Sequence, residues 1–261
     1  MDRYECYEDY CQAKRRVYQN CRYPVVNAEE PEIWRHLQFN HPPLLFSLQP
    51  LDQGFCLRQH DGEYYLALGR QLLLPVKEMQ FSQRYEFQNA LAALALGSAA
   101  GLPMDSMLNT LRRFRGLPHR CQAVGEFGGI RWYNDSKGTN VGATIAAILS
   151  LSAAKTGRLF LIAGGDSKKA DLSSLFTPVT QCVDHLILLG QDAPLFQDLF
   201  QNKLPITRVT SMEEAVNFSA GSAQPGDIVL LSPACASFDM FRNYAHRGEV
   251  FVQAINDFFK K

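Results

Sequence analysis

The sequence carries neither of the common glycine-rich nucleotide loops. G-x-x-x-x-G-K-[ST] and G-x-G-x-x-G are both absent from its 261 residues. The chain therefore has no standard cradle for a triphosphate or a dinucleotide. It also lacks net charge, because 26 Lys and Arg balance 26 Asp and Glu. No global field draws it to nucleic acid or to an anionic membrane, so any anion site must be local. No apolar run approaches ~20 residues, which argues against a membrane span, and the charged start MDRYECYED does not read as a signal peptide. The seven cysteines are scattered, odd in number and free of any C-x-x-C pair. They read as free thiols in a reducing compartment rather than a disulfide frame or a zinc site. These absences together predict a cytoplasmic protein, and the chain is expected to be a monomer.

The pattern along the chain predicts two parts. Residues 5–22 show helical spacing, with Tyr7, Tyr10, Cys11, Lys14, Val17, Tyr18 and Cys21 on one face. Tyr23-Pro24 breaks that helix, and Val25-Val26 opens a short strand. Residues 30–80 read as a meander of short strands at 44–48, 54–57 and 63–68, the last after the turn His60-Asp61-Gly62. Helices are expected over 84–99 and 104–114. Gly116-Leu117-Pro118 is a plausible hinge, giving parts 1–116 and 117–261. Beyond it a hairpin (122–127, Gly128-Gly129, 130–133) leads into alternating helices and strands. The helices fall at 141–151, near 172–181, at 193–200 and 212–220, with a long one from about 238. The strands fall at 158–163, 185–189, 206–209 and 227–231. Such alternation implies an α/β fold, a mostly parallel doubly wound sheet covered on both faces. Ligands then bind in the loops beyond the carboxyl ends of the strands.

Three strand-to-helix turns are unusually polar: 134–140 (NDSKGTN), 164–169 (GGDSKK) and 232–237 (SPACAS). They share one sheet edge and bring helix N-termini, hydroxyls and two lysine-bearing turns, the ingredients of an anion site. Any one of them alone reads as plain helix capping. Three on one edge favour the anion site. Lys14, in the middle of an apolar stripe, must snorkel, pair, or be made neutral by burial and hence reactive. His119-Arg120, at the hinge, offers either a solvated linker charge or a guanidinium for phosphate. The histidines at 36, 41, 60, 185 and 246 form no metal-like cluster.

The segments YCQAKRRVY, NALAALALGSAAGLP, GLPHR, RWYNDSKGTNVGAT, GGDSKKADLSSL and LLSPACASFDMFRNYAHRGEVF, with MDRY at the start, resemble the Mur ligase family. DSK-x-TN and SPACAS resemble its D-glutamate-adding branch. The resemblance spans the chain and implies the C-terminal part of a central ATPase domain followed by a whole Rossmann-like C-terminal domain. It also implies truncation: the phosphate loop and a magnesium-ligating glutamate would lie upstream, and the chain alone would be inactive. The implied reaction is ATP-dependent, with Mg2+. It joins D-glutamate to UDP-N-acetylmuramoyl-L-alanine through an acyl phosphate, in peptidoglycan synthesis.

Carried over by residue, the resemblance makes Lys14 a carbamylated lysine supporting magnesium. Asn89, His119, Arg120, Asp135 and Lys137 belong to the nucleotide motif, with Asp135 on ribose hydroxyls and Arg120 on phosphate. Thr139, Lys168, Ser237, Phe238 and Tyr244 belong to the D-glutamate site, and Lys14, Arg120 and Lys168 carry the catalytic assignment. Tyr244 stands where the family usually has phenylalanine, and Tyr85-Glu86 where it usually has His-Asn. Within YNDSKGTN, Thr139 or Asn140 would cap the following helix, and Gly138 would let the backbone come close to ligand. The alternatives are another amino-acid-adding ligase, of the folylpolyglutamate synthase kind, and a binding module without turnover.

Overall fold

The computed structural model describes residues 7–80, 84–153 and 155–260. The MDRY segment and the side chains of Tyr7, Tyr10 and Tyr85 lie outside that description. The chain divides into two compact units, residues 1–116 and 117–261.

The first unit opens with helix α1 (Tyr7–Arg15) and a single 3-10 turn over Arg16–Tyr18. The expected helix to residue 22 stops there because Gln19 is extended and Asn20 adopts φ 59°. Strands β1 (Val25–Asn27), β2 (Leu44–Ser47), β3 (Phe55–His60), β4 (Glu63–Leu68) and β5 (Gln71–Pro75) form one sheet in that order, with the short helix α2 (Pro31–Trp34) between β1 and β2. The sheet is not the simple meander expected. β1–β2 and β2–β3 pair in parallel, and only β3–β4–β5 run antiparallel. The β3–β4 turn places Asp61 and Gly62 at φ 50° and 81°. That is the two-residue geometry whose twist suits a hairpin. Helix α3 (Arg84–Ala99) lies on β1, β2 and β3, and α4 (Met104–Arg113) lies on α3. Phe55, Leu66, Leu74, Leu91 and Leu94 form the centre of this core.

The second unit is the expected α/β sheet. Strands β6 (Gln122–Phe127), β7 (Ile130–Asn134), β8 (Leu159–Ala163), β9 (His185–Leu188), β10 (Ile206–Arg208) and β11 (Ile228–Leu231) pair in the order β10-β9-β8-β11-β7-β6. All pairs are parallel except β6–β7. Alternate residues of the buried strands point to opposite faces. Leu159, Leu161, Leu186, Leu188 and Leu230 meet α5 (Val141–Ser152), α6 (Phe176–Cys182) and α7 (Ala193–Phe200). Phe160, Ile162, Ile187, Val229 and Leu231 meet α8 (Met212–Ser222) and α9 (Tyr244–Phe259). A 3-10 turn, Ser173–Leu175, begins what was expected to be a single helix near 172–181. α9 starts at Tyr244 rather than near 238, because Asn243 is extended and its side chain caps the helix by accepting from His246 N at 2.9 Å. No helix among the described residues is long and apolar enough to cross a membrane. The six described cysteines are free thiols.

Candidate functional site

β7, β11 and β8 are parallel neighbours, so the loops leaving their C-terminal ends share one edge of the sheet. These are the three polar turns picked out in the sequence, and the chain ties them to one another. Ser232 Oγ donates to Asp135 Oδ2 at 2.7 Å, joining the first turn to the third. Asp166 and Ala236 exchange two backbone hydrogen bonds, at 3.1 and 2.8 Å, in an isolated antiparallel bridge that joins the second to the third. Gly165, at φ 125°, makes this approach possible, because a Cβ there would fall on Ala236 O. The loop after β9 adds a further tie, with Ser167 N and Oγ both donating to Asp192 Oδ2, at 2.7 and 2.6 Å. A cleft of about 360 Å3 opens here, lined by Asp166, Ser167, Lys168, Lys169, Gln191, Asp192 and Leu195.

Within NDSKGTN, Asn140 is the helix cap: its side chain accepts from Ala143 N at 2.9 Å. Asp135, to which the resemblance gives ribose hydroxyls, is largely enclosed by the chain's own groups. It is only 7% exposed. Its Oδ1 accepts from Cys121 N at 3.0 Å and its Oδ2 from Ser232 Oγ. Burial pushes its carboxyl up to about 6, against the lowering effect of those two bonds and of Arg120 and Arg247. A buried carboxylate satisfied from within is a brace for the loop. Gly138 serves the same packing, since a Cβ there would fall on Asp135 Oδ2 and lie 3.0 Å from Ser232 Oγ.

The brace holds the His119-Arg120-Cys121 turn. Cys121 N donates to Asp135, Lys137 N donates to His119 O at 3.0 Å, and Asn134 Nδ2 lies 3.1 Å from His119 Nδ1. His119 and Cys121 adopt φ 63° and 43°, a conformation that side-chain-bearing residues keep only when their surroundings enforce it. Arg120, between them, is exposed. Lys137 Nζ lies 3.9 Å from the centroid of the Tyr244 ring, and the His119 ring meets that ring edge-on at 6.1 Å. Thus His119, Lys137 and Tyr244 form one cluster. Lys168, at φ 51°, is exposed, with its Nζ 6.0 Å from the centroid of Phe238, itself 69% exposed. Ser237 is buried and Thr139 half-buried on the same rim.

One residue of this rim was missed in the sequence. Arg247 is 1% exposed. Its Nε donates to Ser136 Oγ at 3.0 Å, its Nη2 to Ser136 O at 2.9 Å and Cys235 O at 3.1 Å, and its Nη1 to Cys235 O and Ala236 O at 3.2 and 3.3 Å. Burial draws its guanidinium down to about 10, against the opposing pull of Cys235, Asp239 and Asp135.

The remaining candidates belong to the first unit. Asn89 is exposed on α3. Lys14 is exposed on α1. Of its stripe Cys11 is buried, while Val17 is exposed. α1 meets α2 through Arg15, which donates to Ile33 O at 3.3 Å and Glu32 O at 2.8 Å. Among the described residues no group of three or more His, Cys, Asp or Glu side chains could hold a metal ion.

Comparison with known proteins places this geometry. Residues 119–235 match the family described as "Mur ligase, glutamate ligase domain". The chain is 51% identical over 255 residues to a UDP-N-acetylmuramoylalanine--D-glutamate ligase of Coxiella burnetii, covering 98% of this chain and 58% of that protein. It therefore spans little more than half the length of that curated relative. In fold it is similar to a UDP-N-acetylmuramate-alanine ligase of Thermotoga maritima, with TM-score 0.69 at 16% identity, covering 97% of this chain and 56% of that one. A MurF ligase of the same organism, solved in complex with ADP, gives TM-score 0.62 at 13% identity, over 94% and 56%. The sheet with its three cross-tied loops and the family match make residues 119–235 a Mur ligase glutamate ligase domain, within a chain similar to Mur ligases along nearly its whole length.

Proposed function

We propose that this chain is the amino-acid-handling portion of an ATP-dependent ligase that adds D-glutamate to UDP-N-acetylmuramoyl-L-alanine through an acyl phosphate, in cytoplasmic peptidoglycan synthesis. The observation that carries the reading is the cross-tied rim. It brings Thr139, Lys137, Lys168, Ser237 and Tyr244 to one edge of the sheet, and the incoming amino acid has two carboxylates to neutralise. Lysine ammonium groups and hydroxyls suit both, since charge-assisted hydrogen bonds to carboxylate are strong. Holding the amine in place is what a ligase needs from this side of the reaction.

The nucleotide role is narrower. Arg120, presented on its strained turn, would meet a phosphate oxygen, and Asn89 and His119 would contribute from the nucleotide motif. In this proposal Asp135 acts by bracing the turn that carries Arg120. ATP has no phosphate loop in this sequence. The described residues do not by themselves make a magnesium site. Lys14, if carbamylated, would add one oxygen donor to ligands supplied from elsewhere.

The test is amino-acid binding to the purified chain by calorimetry, with D-glutamate, L-glutamate, D-aspartate and D-glutamine as ligands. D-glutamate should bind, Lys168→Met should weaken it at least tenfold, and the chain alone should show no ATP-dependent turnover. Selective binding of a different amino acid would overturn the D-glutamate assignment. Turnover by this chain would overturn the division of labour.

A further inference from the structure

The side chain that sets the geometry of the rim touches no ligand position. Arg247, in the first turn of α9, makes five hydrogen bonds, and every acceptor is a backbone carbonyl or the Ser136 hydroxyl. No carboxylate touches it; Asp239 and Asp135 act on it only at longer range. A buried guanidinium bonded in this way satisfies acceptors of two loops, and an apolar side chain of similar volume would leave those acceptors unpaired, at a cost in stability. That cost alone does not say why the guanidinium joins these two particular loops.

Its acceptors suggest what does. They belong to two loops, 134–140 and 232–237, and each stands one or two residues before a candidate ligand contact. Ser136 precedes Lys137 and lies three residues before Thr139. Ala236 precedes Ser237. Nη2 alone bonds both loops at once, to Ser136 O and to Cys235 O. A planar fork can do this, whereas the single ammonium of lysine cannot span the same set. Ser136 completes the tie by donating to Tyr244 O at 2.7 Å, which fixes the start of α9 to the same loop. We propose that Arg247 is a positioning residue for amino-acid recognition. It fixes the separation of the two loops, and so the placing of Lys137, Thr139 and Ser237 relative to one another.

This inference rests on the D-glutamate reading, and the experiment separates the two. Arg247→Met and Arg247→Lys are compared with the parent chain by thermal melting, amide hydrogen exchange and D-glutamate calorimetry. The Met variant leaves the buried acceptors unpaired, so it should melt below the parent while keeping the β8 and β11 core folded. Its amides at 136–139 and 236–238 should exchange at least tenfold faster while those of β8 and β11 keep their protection, and D-glutamate should bind at least tenfold more weakly. Arg247→Lys should fall between parent and Met variant. Methylguanidinium added to Arg247→Ala should restore protection in both loops together. A folded variant whose loops stay protected, or that binds D-glutamate as tightly as the parent, overturns the proposal. Should the Met variant not fold, the Lys variant decides by the same two readouts. If the parent binds no D-glutamate, the substrate assignment falls, and hydrogen exchange alone upholds or overturns the loop tie.

Discussion

Replacing Asp135 with Asn should stabilise the protein, and only above the acid range. The folded protein raises this carboxyl from 3.8 to about 6, chiefly through burial. A group whose folded pKa lies above its unfolded value is most favourable to folding below the unfolded value, and that advantage disappears as pH rises through the folded one. Ionised Asp135 therefore costs stability at neutral pH. The shift of just over two units corresponds to roughly 3 kcal/mol as an upper figure. Asparagine removes the charge and keeps the bonds. Its oxygen still accepts from Cys121 N, its amide donates to Ser232 Oγ, and the freed Ser232 hydroxyl turns to Thr144 Oγ1, 2.9 Å away. Trp132, fully buried in the second unit, reports unfolding there once Trp34→Phe silences the other indole. Urea midpoints of parent and Asp135→Asn should coincide near pH 4 and diverge between pH 4 and 6. Above that they should differ by about 1–1.5 M, for a slope near 2 kcal/mol/M. A difference that does not change with pH, or an Asn variant less stable at pH 8, would refute the reasoning.

Two further substitutions probe the frame around the rim. Gly248→Ala puts a Cβ onto His119 Nδ1 and 2.9 Å from Asn134 Nδ2. It should cost about 1–3 kcal/mol by overpacking and loosen the Arg120 turn, seen as faster amide exchange at Cys121. Asn140→Ala removes the α5 cap and should cost about 1 kcal/mol in chemical denaturation, with the rest of the rim intact.

The second unit was legible because its strands are continuous apolar runs bounded by glycine and polar turns, which leave few alternatives. The first unit was less so. β1 and β2 are three and four residues long, and a strand that short does not reveal whether its neighbour runs parallel or antiparallel. The roles within the site were readable as residue types but not as directions. Asp135 looks in sequence like a carboxylate on display, and only its partners Cys121 N and Ser232 Oγ show that it faces inward. The contrast between Lys14 and Arg247 is instructive. A cation on an apolar helical stripe drew attention to Lys14, which is exposed. The same criterion applied to α9, where Arg247 is four residues before Phe251 and on the stripe of Ala254 and Ile255, would have found the cation that is buried.

The Asp166–Ala236 bridge adds a rung of sheet pairing beyond the end of the sheet proper. Together with the Ser232–Asp135 bond and the Arg247 fork, it makes three sequence-distant loops into one transplantable part. An engineer who exchanged only GGDSKK for the loop of a relative with another amino-acid preference would break that rung and leave the donor loop without its partners. Specificity in this scaffold should move between proteins as a set comprising the turns at 134–140, 164–169 and 232–237 with the first turn of α9, or not at all.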